Sequence, residues 1–67
     1  MKESIQKQID AIVGASATVE ASLTPREYYV RTGAWFITAQ QLHDIERTMP
    51  VQAISVDGHE IMLTIRL

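Results

Sequence analysis

An Asp57-Gly58 pair, set between two runs of alternating residues, constrains this chain more than any other feature. Residues 51–56 precede it and residues 59–67 follow. Asp-Gly suits tight two-residue hairpin turns, which need positive φ, so this segment is expected to be a β-hairpin. A loop at Asp57-Gly58 sets the register: Val56 opposite His59, Ile54 opposite Ile61, Gln52 opposite Leu63. Ile65 and Leu67 continue that face, which is expected to be the buried one. Ser55 with Glu60, Ala53 with Met62 and Val51 with Thr64 lie on the other face.

Just upstream, Thr38-Ala39-Gln40-Gln41 has the form of a capping box, with Thr38 as N-cap and Gln41 reaching back. Ile37 and Leu42 stand where a hydrophobic staple belongs. Leu42, Ile45 and Met49 give the helix an apolar stripe, Gln41, Asp44 and Arg47 face water, and Pro50 ends it.

The N-terminal part reads as a long helix over residues 2–23. Ile5, Ile9, Ile12, Ser16, Val19 and Leu23 step by four and three, which is one helical stripe. Alanines 11, 15, 17 and 21 add propensity, and Glu3 suits the positive end of the helix dipole. Thr24 precedes Pro25, so the helix should stop by Leu23. Gly14 is its weak point, costing about 1 kcal/mol relative to alanine, and is where the helix would break.

Residues 24–37 admit two readings. Thr24-Pro25-Arg26-Glu27 fits a capping box with proline at the first helical position, which makes a short helix. Tyr28, Tyr29, Val30, Trp35, Phe36 and Ile37 are the types strands prefer, which makes a hairpin turning at Thr32-Gly33 and pairing Val30 with Trp35. Residue type favours the hairpin. The expected fold is therefore one α+β domain over residues 1–67: a long N-terminal helix, a central hairpin or short helix, a second helix and a C-terminal β-hairpin. The helices are expected on one face of a small antiparallel sheet.

With 67 residues, such a core gives a thin margin over chain entropy, and small domains commonly rely on a staple or a partner. Cysteine is absent, which excludes disulfides and thiolate metal sites. Small secreted domains are usually disulfide-rich, so the cytoplasm is the expected location. No apolar run approaches the roughly 20 residues that span a bilayer, and the first residues lack a signal-peptide pattern. The formal net charge of -2 gives no general attraction to nucleic acid or anionic lipid.

No constellation points to chemistry. His43, Asp44 and Glu46 lack the three- or four-residue spacing of metal ligands on a helix face. His59 and Glu60 are adjacent in a strand and face opposite sides of the sheet. Gly14, Gly33 and Gly58 form no phosphate loop. Arg26 and Arg31 bracket Tyr28 and Tyr29, but Glu27 sits among them and the overall balance is acidic. No catalytic residue, cofactor or metal is expected, and the chain reads as a non-enzyme.

Two functions fit this pattern. The first is a protein-binding regulatory module that also self-associates. The N-terminal stripe keeps heptad-like spacing over about three heptads, and the aromatic residues exceed what a one-sided core covers. Its expected interface is Ile5, Ile9, Ile12, Tyr29, Trp35 and Phe36. The alternative is a winged-helix-like DNA-binding transcriptional regulator, which requires residues 25–32 to be helical. Gln40, Gln41, His43 and Arg47 would then contact bases or phosphates, with the Asp57-Gly58 hairpin as the wing. Net charge, Asp44, Glu46 and the acidic wing tip oppose it.

Overall fold

Residues 2–67, which the computed structural model describes, form α1 (Lys2–Val13), β1 (Thr18–Ala21), β2 (Glu27–Arg31), α2 (Ala39–Thr48), β3 (Val51–Asp57) and β4 (Glu60–Arg66). The strands make one antiparallel sheet in the order β1-β2-β4-β3. Ile5 and Ile9 of α1, Ile45 of α2 and Met49 at its C-cap pack on Ala17, Val19, Val30, Leu63 and Ile65, so one face of the sheet carries the core. The fold is α+β, with helices on that face, as the alternation and capping patterns imply.

The first helix is shorter than its stripe suggests. It ends at Val13, and Gly14 takes φ +78°, donating its N–H to the Asp10 carbonyl at 2.9 Å. The Asp10 carboxylate then accepts from the Ala17 amide at 2.6 Å, folding the chain back over the helix end. β-branched Thr18 and Val19 enter β1, where Val19 is buried from a strand and not from a helix.

The central segment is strand from Glu27, not helix, but its hairpin partner differs from the expected one. β2 pairs with β1, matching Val30 to Val19 and Tyr28 to Ala21, while Trp35–Ile37 stay outside the sheet. The Thr24-Pro25-Arg26-Glu27 string is a turn. The Glu27 N–H reaches the Thr24 carbonyl at 3.2 Å, proline occupies the first central position, and Arg26 has φ +65° at the second. That is the type II pattern, which favours glycine where arginine stands. Arg26→Gly is therefore expected to raise stability by about 0.5 kcal/mol, the left-handed strain of a side chain outweighing glycine's extra entropy loss. A urea midpoint that stays or falls would contradict this.

β2 runs straight into a bulge against β4. The Thr32 N–H and hydroxyl both donate to the Ile61 carbonyl, at 3.0 and 2.8 Å, and the Ile61 N–H donates to the Ala34 carbonyl at 2.8 Å. Thr32 is fully buried, and these bonds satisfy it. Gly33, between them, has φ +74°.

α2 opens with the expected capping box. Thr38 Oγ1 accepts from the Gln41 N–H at 3.1 Å, and Gln41 Oε1 accepts from the Thr38 N–H at 2.8 Å. Gln41 Nε2 also donates to the Ile12 carbonyl at 3.4 Å, tying the start of α2 to the end of α1.

The C-terminal hairpin turns one residue later than expected. Asp57 pairs with Glu60, so Gly58 and His59 form the loop, and only Gly58 (φ +67°) has positive φ there. Glycine at the first central position is the type II′ arrangement. Asp57 stays in the strand, where its carboxylate meets Arg31 at 2.6 Å across β4. The register shifts accordingly, pairing Ile54 with Leu63 and Val56 with Ile61, and a bulge near Gln52 restores Val51 opposite Ile65. The shift is two residues, so face alternation survives. Burial does not follow it along β3: Ile54 and Val56 are 48% and 70% exposed, and Leu67 is also exposed.

Candidate functional site

The six residues expected to form one interface occupy three different environments. Ile5 and Ile9 lie in the core, and Ile12 is half-buried against it, so the helix stripe is consumed within the monomer. Tyr29 faces away from the helices, opposite Thr64, with its hydroxyl 3.5 Å from Ser22 Oγ. Trp35 and Phe36 sit in the loop between β2 and α2, 74% and 53% exposed. Their rings touch edge to face with centroids 4.5 Å apart. Such a contact holds two aromatic rings as a preformed unit on the surface.

The loop that carries the pair is tied to the end of the sheet. Ala34 is hydrogen-bonded to Ile61, and Ile61 pairs with Val56. Trp35 and Phe36 thus leave the sheet at the end where the β3–β4 turn lies, and the following chain crosses to α2 on the helix side. Val56 and Ile54 emerge on that same helix side of β3. Sequence alternation marks these two as core. Their exposure was not legible, because it depends on β3 being an edge strand.

Of the other polar candidates, Gln40, Gln41, Arg47 and Glu60 have structural partners. Gln41 is committed to the capping box and to Ile12, and Gln40 Nε2 donates to Asp44 at 2.9 Å. Arg47 lies 3.9 Å from Asp44, and His43 is exposed on α2. These side chains share a short helix, but residues 27–31 are a strand. The helix that a winged helix needs before α2 is therefore not formed. His59 is exposed in the turn. Glu60 accepts from the Gly33 N–H at 3.3 Å and lies 3.8 Å from Arg31, which Asp57 already engages. Arg31 is thus held between two carboxylates.

Among the described residues there is no pocket, no group of ligands that could hold a metal ion, and no helix long and apolar enough to cross a membrane. No protein family, curated protein or solved structure gives a significant match to the chain.

Proposed function

We propose that this chain is a non-enzymatic protein-binding regulatory module, and that it docks a partner protein through the Trp35–Phe36 pair. The exposure of two aromatic rings in mutual contact carries this reading. Aromatic side chains are enriched at the cores of protein interfaces, and tryptophan is among the residues that most often dominate their binding energy. The cysteine-free composition of so small a domain supports a cytoplasmic setting.

The test uses the protein as bait in a nuclease-treated lysate, alongside a Trp35→Ala/Phe36→Ala variant. Both side chains are exposed, so the double variant should keep wild-type stability to within about 1 kcal/mol. The expected result is a specific protein retained by the wild type and lost with the variant. Trp35 is the chain's one tryptophan, so its emission should shift to the blue when that purified protein is added. Equal retention by both baits would overturn the reading. A salt-sensitive rise in anisotropy of a labelled random DNA duplex, unaffected by the double substitution, would replace it with the DNA-binding one.

A further inference from the structure

β3 forms one edge of the sheet. Among the described residues β3 pairs only with β4, and the outer edge of its seven residues carries no strand. The Ile61 N–H and C=O are both engaged on the β2 side, by Ala34 and Thr32. Val56, directly opposite Ile61, therefore gets no bond from it, and the Val56 N–H and C=O point outward. Alternation gives Ile54, opposite Leu63, the same outward backbone. Ile54 and Val56, whose backbone groups point outward, are thus also the two residues of β3 with exposed branched side chains.

From this the geometry points to a second copy of the chain as the occupant of that edge, paired antiparallel about a two-fold axis at Ser55. It deepens the protein-contact reading by naming the self-association surface, and it moves that surface from α1 to β3. In this register Ile54 of each copy faces Val56 of the other, and each pair exchanges both N–H···O bonds. Ser55 faces Ser55 of the second copy in the non-hydrogen-bonded position between them. A one-residue slip would set Ile54 against Ser55, on opposite faces. A two-residue slip one way sets Val56 against the bulged Gln52. The other way, Ile54 meets Gly58 in the turn. One register alone pairs both exposed branched residues.

Charge selects the same arrangement. Residues 53–56 carry none, and the nearest charge, Asp57, is held by Arg31. Antiparallel pairing sets Asp57 opposite Ala53 and keeps the two Asp57 carboxylates at opposite ends. Parallel pairing would set them side by side. Edge strands are normally guarded by lysine, proline or bulges. Here Pro50 and the bulge at Gln52 guard only the start of β3, whereas β1, the other edge, is four residues long and carries Glu20. Because paired residues share a face, the two sheets join into one, with the helices of both copies on the same side.

The test exploits the absence of cysteine. In a non-hydrogen-bonded antiparallel pair the Cα atoms lie about 4.5 Å apart, within disulfide reach. Ser55→Cys should form a disulfide dimer in a glutathione redox buffer at least about tenfold faster than Ala53→Cys, which faces Asp57 instead. Wild-type protein at about 0.1 mM should sediment at twice the 7.5 kDa chain mass. Val56→Pro, which removes a donor its own sheet does not use, and Val56→Lys should both sediment as monomers with an unchanged circular dichroism spectrum. Wild-type protein at the chain mass throughout, or equal cross-linking at positions 53 and 55, would overturn the proposal. Dimerisation lost with Trp35→Ala/Phe36→Ala but kept in both Val56 variants would overturn it while leaving the protein-contact reading standing. A Val56-dependent dimer with no aromatic-dependent partner would support it and leave the aromatic reading without support.

Discussion

Gly33→Ala is expected to cost about 2–4 kcal/mol, a large share of the roughly 3–10 kcal/mol that stabilises a domain of this length. Two effects add. At φ +74° a side chain is strained by about 1 kcal/mol or more. In addition, a Cβ at position 33 would stand 2.7 Å from the Ser16 carbonyl oxygen, a backbone atom, and relieving such overpacking typically costs about 1–3 kcal/mol. Neither side can yield cheaply. The segment after α1 is pinned by Asp10 to Ala17, which is itself buried, and the Thr32–Ala34 bulge is pinned by its bonds to Ile61. Gly14 provides the control. Its φ is +78°, but a Cβ there meets nothing within 4 Å, so Gly14→Ala should show the φ strain alone. The measurement is the denaturant midpoint of each variant at unchanged m-value. Equal shifts for the two would mean that the close approach of Gly33 to Ser16 carries no energetic weight.

That contact also shows why part of the fold could not be read from sequence. The Thr38 capping box was legible because both of its bonds lie within four residues. The hairpin around Gly58 was legible too, but its register was not. Asp57-Gly58 and Gly58-His59 both suit a two-residue turn, the first as type I′ and the second as type II′ with Gly58 at its first position, so residue type alone leaves the register open. The stripe through Ile5, Ile9, Ile12 and Val19 looked continuous because all four positions turn inward, yet Val19 does so from a strand. Helix and strand periodicities coincided there by spacing alone. Trp35, Phe36 and Ile37 looked like strand because aromatic and β-branched residues prefer it. The decisive fact was that β1 supplies the partner for β2, and no local pattern encodes a pairing between residues 18–21 and 28–31. Of the expected interface, the exposure of Trp35 and Phe36 could be anticipated from a limited core. The exposure of Ile54 and Val56 could not, since an edge strand and a covered one share the same alternation.

The N-terminal stripe gives the sharpest separation between an interface residue and a core residue. Ile9→Asp is expected to abolish the folded state at neutral pH at every protein concentration. Ile9 is fully buried among the apolar side chains of the core, and an unpaired carboxylate there costs several kcal/mol beyond the lost packing. Ile9→Ala, which introduces no charge, should cost about 2–5 kcal/mol through the cavity it leaves. Far-ultraviolet circular dichroism with sedimentation distinguishes the cases. If α1 were a coiled-coil seam between copies, Ile9→Asp would yield a folded monomer, and its spectrum would match that of the diluted wild type. If Ile9 belongs to the monomer's own core, the variant loses helix and sheet signals together, and raising its concentration restores neither. The second outcome is expected because both helices share that core with β4, so a charge at Ile9 removes the surface on which α1 and Ile45 pack together.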